Sequence, residues 1–388
     1  MDSLSNKKKI IIVGPAYPYR GGNALFVSQV YDKLKNNFTV KVFNYKLLYP
    51  SVLFPGTTQF DKSDKQVFNI PSERLLNSIS PFNWFKVAKK IISEDADLIV
   101  FDWWHPFFGP ALGTITRLIK KKYKDKILFI TENVVSHESN RIDKLLTKYG
   151  LKHAAFYLSL SKKVANELQT FSKGRKIFRS ELPVYDCYQS KTAFDLQGMR
   201  TQLGIPENST VLLFFGYVRK YKGLDILLKA MPSVLKKHPD AFLLIVGEFY
   251  DKPDTYFEII NKNNLNDKVK LVNSFVPNED VEKYYAVSDL VILPYRSATQ
   301  SGILNVAYGF KKPVVVTDVG GLAEFVEDSK TGFIVKPDSP AEIERGINKF
   351  YNLREKEDFA FNIEERNKLN SFENLPVLFN NIIENIKK

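Results

Sequence analysis

Three cations stand in one short stretch that two glycines enclose. Arg219, Lys220 and Lys222 lie between Gly216 and Gly223, directly after an apolar run typical of a buried strand. Cations between the end of a strand and the start of a helix suit phosphate, because the helix dipole adds to their charge. The pattern predicts that Arg219 and Lys222 bind phosphate and that Lys220 is solvated. Solvated surface is the alternative for any one of these cations.

A second candidate site for an anion is the loop 297–302, between the apolar run 290–294 and a helical pattern that begins near Ser301. Backbone amides are unpaired at the start of a helix, and Gly302 lets a ligand approach closely. An ordinary capped loop has the same pattern. Together, the two stretches predict a site that binds a diphosphate from two sides.

Apolar runs without polar alternation alternate with helical spacing along most of the chain. This is typical of strands buried on both faces of a parallel sheet, with helices between them. One series occupies the first half, and a new one begins after residues 186–200, where no strand pattern is present. The sequence therefore predicts an α/β protein with two doubly wound domains, 1–190 and 191–365, and a terminal helix, 366–388, that packs on the first domain.

Two glycines and one histidine follow strands of the first half. Gly21 and Gly22 come between a strand pattern and a helical pattern, but they do not form G-x-G-x-x-G, and no acidic residue ends the next strand to bind a ribose. Both observations disfavour a nicotinamide enzyme. His105 follows a later strand among aromatic residues. It is a candidate to line a pocket, with a packed core histidine as the alternative.

The polar loop after the apolar run 127–131 contains Glu132, His137 and Glu138. A neighbouring carboxylate can orient or charge an imidazole, so His137 is a candidate for function. Helix capping by the serines of this loop is the alternative, and for Glu138 it is the favoured one.

The positive charge of the chain is concentrated in its first half. Residues 1–190 contain 30 Lys and Arg against 16 Asp and Glu, a net charge of +14, whereas residues 191–388 contain 26 against 27, a net charge of −1. This predicts an anionic partner for the first domain, such as a membrane surface or a lipid phosphate. Solvated surface lysines are the alternative. Nucleic acid is disfavoured because no recognition motif accompanies the lysines.

Composition also limits the classes of protein. The single cysteine, Cys187, permits neither an internal disulfide nor a cysteine metal site, and the four histidines have no metal-ligand spacing. The amino end has too short an apolar run for a signal peptide, and no run reaches the length of a membrane span, about 18 residues. We therefore expect a cytoplasmic protein without a metal or other cofactor.

The second half resembles the donor half of the retaining glycosyltransferases of family four. The resemblance is carried by FFGYVRKYKGLDILLKA, AFLLIVGE, VKLVNSFVPNEDVEKYYAVSDLVILPY and GFKKPVVVTDVGGLAEFVEDSKTGFIVKP, while VGPAYPYRGG and WWHPFF resemble the matching acceptor half. It implies a GT-B fold, in which two Rossmann-like domains face each other across a cleft. It also implies metal-independent transfer of a sugar, with retention at the anomeric carbon, from a nucleotide diphosphate sugar to a glycan or lipid-linked acceptor.

The resemblance also implies roles for individual residues. Arg219 and Lys222 would bind the donor diphosphate and neutralise the charge that develops as it leaves. Phe275 and Val276 would border the base. Further contacts to the donor would come from Gly21, Gly22, Gly216, Gln300, Ser301, Gly302 and Ile303. His137 would join the catalytic residues, with His105, Glu132 and Glu138 on the acceptor side.

The chain departs from the family at several of these positions. The family has two glutamates with seven residues between them on the donor loop and helix, whereas this chain has Gln300 at the first position and Asn305 or Val306 at the second. Tyr217 stands where the family usually has an arginine, and Glu132 where it often has a histidine. An amide cannot carry charge. A non-catalytic GT-B binding subunit, or a GT-B epimerase or phosphorylase, is therefore the alternative to a transferase.

Overall fold

The computed structural model describes residues 7–54, 56, 58–134, 141–189 and 195–386. The chain forms two compact units. The first comprises residues 1–61, 68–183 and 371–388, and the second comprises residues 62–67 and 184–370. The boundaries of the units thus fall at 183 and 370, against the predicted 190 and 365. The structure also assigns residues 62–67 to the second unit.

The first unit is built on a seven-stranded parallel sheet of order β3-β2-β1-β4-β5-β6-β7. Its strands are β1 (Lys9–Val13), β2 (Thr39–Leu47), β3 (Ser72–Asn77), β4 (Leu98–Trp103), β5 (Ile127–Thr131), β6 (Phe156–Ser159) and β7 (Ile177–Arg179). Its helices are α1 (Gly22–Leu34), α2 (Pro81–Ser93), α3 (Gly109–Tyr123), α4 (Arg141–Gly150), α5 (Lys162–Ser172) and α13 (Leu375–Ile386).

Successive strand residues of this sheet are buried on opposite faces. Ile11 and Phe101 pack with α2 and α3, whereas Ile12 and Val100 pack with α1 and α13. Apolar residues are needed at every position because both faces are covered, so the strands read as continuous apolar runs.

The polar, Pro-rich pattern of residues 46–80 predicts a surface loop, but the structure has a strand there, β3. The strand SERLLN lies at the edge of the sheet and pairs with β2 alone, and only Leu76 of its residues is buried. An edge strand keeps polar side chains in solvent, so it lacks the apolar run by which the central strands are recognised.

The second unit has a six-stranded parallel sheet of order β10-β9-β8-β11-β12-β13. Its strands are β8 (Thr210–Phe215), β9 (Ala241–Val246), β10 (Val269–Val272), β11 (Leu290–Leu293), β12 (Val314–Thr317) and β13 (Gly332–Val335). Its helices are α6 (Leu196–Gln202), α7 (Leu224–Lys237), α8 (Asp254–Lys262), α9 (Asn278–Ala286), α10 (Gly302–Gly309), α11 (Pro340–Leu353) and α12 (Phe359–Lys368). The predicted fold class, α/β with two Rossmann-like sheets, is confirmed.

Each sheet reverses its strand order at one point. The reversal lies between β1 and β4 in the first sheet and between β8 and β11 in the second. Ligands of open α/β sheets bind outside the carboxyl ends of the strands at such a switch point. The loops that follow β8 and β11 are the two loops that contain the predicted donor residues.

Candidate functional site

The loop after β8 is shaped by two glycines with left-handed backbone. Gly216 has φ +101° and Gly223 has φ +70°, and Arg219 precedes a short 3-10 helix at Lys220–Lys222. A Cβ on Gly223 would lie 2.0 Å from the backbone oxygen of Pro294, at the end of β11. The close approach of these two backbones brings together the two loops that the sequence predicted as a pair.

Lys222 is a buried cation. Its Nζ lies 5.5 Å from the centroid of the Tyr295 ring and 3.0 Å from the position of a Cβ on Gly216. Burial, and then the neighbouring charge of Arg219, lower the pKa of Lys222 to about 8. In the part of the chain that the structure describes, no carboxylate pairs with it. A buried ammonium group without a counter-ion is suited to an anionic ligand.

Arg219 is held by aromatic rings. Its guanidinium carbon lies 4.9 Å from the centroid of the Tyr250 ring. The Tyr250 ring in turn contacts that of Tyr217, with 4.6 Å between ring centroids and 33° between ring planes. Tyr217 occupies the position where the family usually has an arginine. A cation over an aromatic face keeps its donors available to a ligand.

The loop after β11 contacts Lys222 through the ring of Tyr295. The hydroxyl of Tyr295 lies 3.5 Å from Oγ of Ser301, and its backbone oxygen accepts a 2.5 Å hydrogen bond from the hydroxyl of Thr317. Ser301 gives α10 no side-chain cap, and Oε1 of Gln300 is buried without a hydrogen-bond partner among the described residues. The loop therefore presents unsatisfied polar groups beside Lys222.

The donor candidates of the loop after β8 and of the start of α10 come together in the second unit. A Cβ on Gly216 would lie 3.2 Å from Cδ1 of Ile303, and one on Gly302 would lie 3.6 Å from the Tyr185 ring. Lys220, by contrast, is exposed. Of the two lysines of this turn, Lys222 is therefore buried and Lys220 lies in solvent.

An ion pair that the sequence did not reveal joins the two loops. Arg296 donates to both carboxylate oxygens of Asp225 at 2.8 Å and to the backbone oxygen of Lys220 at 2.7 Å. A bidentate pair fixes both partners in orientation as well as distance. The only sequence signal was an acidic residue in the first turn of α7, and its partner lies 71 residues away.

The position of the family's second glutamate lies inside the fold. Asn305 and Val306 are buried in α10, and the backbone oxygen of Asn305 accepts a 3.2 Å hydrogen bond from the amide of Tyr185. Residues 184–189 lie along α10, since a Cβ on Gly309 would be 2.3 Å from the Tyr185 backbone oxygen.

Phe275 and Val276, predicted to border the base, are partly buried between β10 and α9. The first turn of α9 binds the segment 62–67: the Asn278 amide donates to Oγ of Ser63 at 2.9 Å, and the Glu279 carboxylate accepts from the Asp64 amide at 3.1 Å. The sequence assigned this segment to the first domain. It lies in the second unit because hydrogen bonds at the start of α9 hold it there.

The acceptor-side candidates lie in the first unit, and so do two of the donor candidates, Gly21 and Gly22. Gly21, with φ +103°, precedes α1, and a Cβ added to it or to Gly22 would have no atom within 4 Å, so the backbone there is open. Nδ1 of His105 accepts a 3.1 Å hydrogen bond from the Phe107 amide and caps a short 3-10 helix. His137 and Glu138 lie outside the described residues.

Glu132 has a carboxyl neighbour that the sequence did not single out. Its Oε1 accepts a 2.8 Å hydrogen bond from the Asn23 amide group, and burial raises the pKa of Glu132 to about 7. Asp102, on β4, is buried with no hydrogen-bond partner for either carboxylate oxygen among the described residues. Burial, and then the charge of Glu132, raise the pKa of Asp102 well above its ordinary range. Glu132 can therefore gain or lose a proton near neutral pH.

Neither a metal centre nor a membrane-spanning helix is present in the described part of the chain. No three His, Cys, Asp or Glu side chains there group as ligands of a metal ion. None of the helices there has both the length and the apolar character needed to cross a bilayer.

The whole chain is similar to solved structures of one fold. Sucrose-phosphate synthase from Thermosynechococcus elongatus has a TM-score of 0.72 at 17% identity, over 98% of this chain and 99% of that one. HepE of Anabaena, solved in complex with UDP, has a TM-score of 0.74 at 16% identity, over 97% of this chain and 100% of that one. Together with the two Rossmann-like sheets, these likenesses define a protein of the GT-B fold.

Sequence similarity then gives the family. Residues 197–368 match the family described as glycosyl transferases group 1. D-inositol 3-phosphate glycosyltransferase of Corynebacterium aurimucosum is 31% identical over 155 residues, which are 39% of this chain and 37% of that relative's length. An uncharacterized glycosyltransferase of Methanocaldococcus jannaschii is 24% identical over 364 residues, 89% of both chains. The match of residues 197–368 to the glycosyl transferases group 1 family is consistent with the resemblance to family four.

Proposed function

We propose that this protein is a retaining glycosyltransferase that moves a sugar from a nucleotide diphosphate sugar to a glycan or lipid-linked acceptor. One observation carries the proposal. The buried Lys222 and the ring-bound Arg219 have no carboxylate partner among the described residues, and they lie at a switch point beside the uncapped start of α10. A diphosphate supplies the missing negative charge. The family of residues 197–368 supports the same chemistry.

In this proposal the rate comes from positioning and electrostatics. Negative charge grows on the diphosphate as its bond to the anomeric carbon breaks, and Lys222, Arg219 and the first amides of α10 stabilise that charge. Because these groups meet the charge of the diphosphate, the proposal includes no metal ion or other cofactor. Oε1 of Gln300 accepts a hydrogen bond from a sugar hydroxyl, and Phe275 and Val276 border the base.

The first unit holds the acceptor. Asn23 orients Glu132, and burial raises the pKa of Glu132 to about 7. In this proposal Glu132 accepts a hydrogen bond from the acceptor hydroxyl. The basic charge of this unit supports an acceptor at an anionic membrane surface. The proposal is accordingly of a cytoplasmic protein, peripheral to the inner face of the membrane and active in polysaccharide biosynthesis.

A panel of nucleotide sugars, read by mass spectrometry, tests this function. UDP-glucose is the first donor to try, because HepE of Anabaena was solved in complex with it. We expect one donor to release its nucleoside diphosphate, and a glycoside to form when an acceptor is present. An epimerised free sugar or a sugar phosphate as co-product would indicate the epimerase or phosphorylase. A binding subunit would release nucleotide from no donor.

The affinity for nucleoside diphosphate is expected to fall as the pH rises above about 8. Free Lys222 loses its proton near that pH, whereas an ammonium group bound to a diphosphate keeps it, so binding takes up a proton and Kd rises up to about tenfold per pH unit. Burial raises the pKa of the neighbouring Tyr221 and Tyr295 hydroxyls, so they stay protonated there.

Isothermal titration with UDP, in buffers of different ionisation heat, measures this proton uptake. Lys222→Met keeps the volume of the side chain and removes the titrating group, so its weaker binding should not change between pH 7 and 9.5, a range of about two to three units around the pKa. An affinity of the unaltered protein that is flat over the same range would refute the assignment of Lys222.

A further inference from the structure

One face of the first sheet is covered by α2, α3 and α4, which lie side by side and run in the same direction. The ends of α2 and α3 meet where Nζ of Lys122 donates to the Ile92 oxygen at 3.0 Å. Along α3 and α4, Gly109 packs against Leu146 and Gly113 against Tyr149. Each helix follows the carboxyl end of a parallel strand, so all three begin at that edge of the sheet. We call their solvent side the α2–α4 face.

On α2 this face carries two phenylalanines and two lysines. Phe82, Phe85, Lys86 and Lys89 are exposed at the spacing of a single helix face, and Phe82 is 84% exposed. Trp84, Val87, Ala88 and Ile91 fill the opposite, buried face. The core of the unit is therefore complete without the two exposed aromatic rings, which are free to contact something else.

The three helices contain ten Lys and Arg and one acidic residue, Asp143. Lys90 and Lys122 form ion pairs with acidic residues. The other eight are exposed, and none pairs with a described carboxylate: besides Lys86 and Lys89 they are Arg117, Lys120, Lys121, Arg141, Lys144 and Lys148. Like charges at this spacing repel one another, so the face is stabilised by an anionic partner.

The exposed apolar residues occupy one end of the face, whereas the cations lie along its whole length. The exposed apolar residues lie at the starts of the helices: Phe82 and Phe85 on α2, and Ile142 and Leu145 on α4, where Leu145 is 66% exposed. The cations of α3 stand in its second half. At the carboxyl edge of the sheet the face thus combines apolar residues with cations such as Lys86, Arg141 and Lys144, and the rest of it is basic. This is typical of a surface that inserts side chains between lipids and binds their headgroups through cations.

We propose that the α2–α4 face docks on an anionic lipid bilayer, so that the acceptor is a membrane-anchored molecule. Glu132 and the Gly21–Gly22 turn follow strands of the same sheet and lie at the same carboxyl edge as the apolar end of this face. A lipid-anchored acceptor at that surface reaches them without leaving the membrane. This inference deepens the proposed function and rests on it for the identity of the acceptor. A polyanion such as nucleic acid would satisfy the cations and leave the exposed Phe82 and Leu145 unused.

Vesicle flotation of the full chain tests the docking. We expect binding to phosphatidylcholine vesicles with about 30 mol % phosphatidylglycerol, none to phosphatidylcholine alone, and release in about 1 M NaCl, where the Debye length is about 3 Å. Reversing three cations of the face, Lys120→Glu, Lys121→Glu and Lys144→Glu, should weaken binding at least about tenfold. The matched control reverses three exposed lysines of the second unit, Lys236→Glu, Lys252→Glu and Lys262→Glu, and should leave binding unchanged.

A second pair of variants measures what the exposed apolar side chains contribute to vesicle binding. Phe82→Ser with Phe85→Ser should also weaken binding, whereas Phe361→Ser, at a 58% exposed position on α12, should not. Any of three results would overturn the docking. These are binding to neutral vesicles as strong as to anionic ones, the same loss of vesicle binding in both charge-reversed proteins, and a preference for duplex DNA over anionic vesicles. UDP titration of every variant distinguishes the two proposals. If only the docking proposal is wrong, the protein binds UDP but does not float with the vesicles. If only the proposed function is wrong, the protein floats with the vesicles but does not bind UDP.

Discussion

Replacing either Arg219 or Lys222 is expected to lower kcat/KM for the nucleotide sugar by about 100-fold to 1,000-fold, the usual effect of removing one preorganised group from a developing charge. Lys222→Met preserves the packing against Tyr295, and Arg219→Ala leaves the contact between the Tyr217 and Tyr250 rings in place. The loss should therefore come from charge and not from unfolding. The double variant should lose less than the product of the two effects, because both groups act on the same diphosphate.

Lys220→Ala is the matched control for this pair. Lys220 belongs to the same turn, is exposed, and contributes its backbone oxygen to Arg296 and not its side chain. Its removal should change kcat/KM less than about threefold, as expected for a solvated charge. If Lys220→Ala were as damaging as Lys222→Met, a diffuse positive field would explain the data better than a defined diphosphate site.

Gly223→Ala is expected to destabilise the second unit by more than about 3 kcal/mol and to abolish UDP binding. Alanine at φ +70° costs about 1–2 kcal/mol by itself. Its Cβ would also lie 2.0 Å from the Pro294 oxygen, so the loops after β8 and β11 must separate. Thermal unfolding measures the effect, on the transition that UDP stabilises in the unaltered protein.

Gly204→Ala separates the two causes. Gly204 has φ +66°, and nothing lies within 4 Å of its Cβ position. Alanine at position 204 adopts the unfavourable positive φ but contacts no other backbone. We therefore expect the free energy of unfolding to fall by about 1–2 kcal/mol and the affinity for UDP to stay normal. Equal destabilisation by the two substitutions would show that the contact with Pro294 is unimportant.

The sequence predicted the fold class and picked out the two candidate loops after β8 and β11 because both depend on local signals. Continuous apolar runs such as 290–294 identify strands buried on both faces, and parallel strands bring their following loops to one edge. Gly216 and Gly223 indicated sharp turns through residue type alone. Edge strand β3 was missed because partial exposure removed its apolar signal.

The contacts that shape the site were decided by tertiary structure. Arg296 and Asp225 are 71 residues apart, and no periodicity links them. The loop containing Tyr295 meets Lys222 only because β8 and β11 are neighbours in the second sheet. The segment 62–67 joins the second unit through hydrogen bonds to the start of α9, which no composition reveals.

By itself, then, the sequence determined which residue types stand in which loops, and with them the family of the 197–368 domain. Only the tertiary structure decided their chemistry. It buried Lys222 and left Lys220 in solvent, and it desolvated Glu132 and Asp102, which raises the pKa of both carboxyl groups. The physical reason is that desolvation depends on every neighbour in space, whereas sequence patterns report only neighbours along the chain.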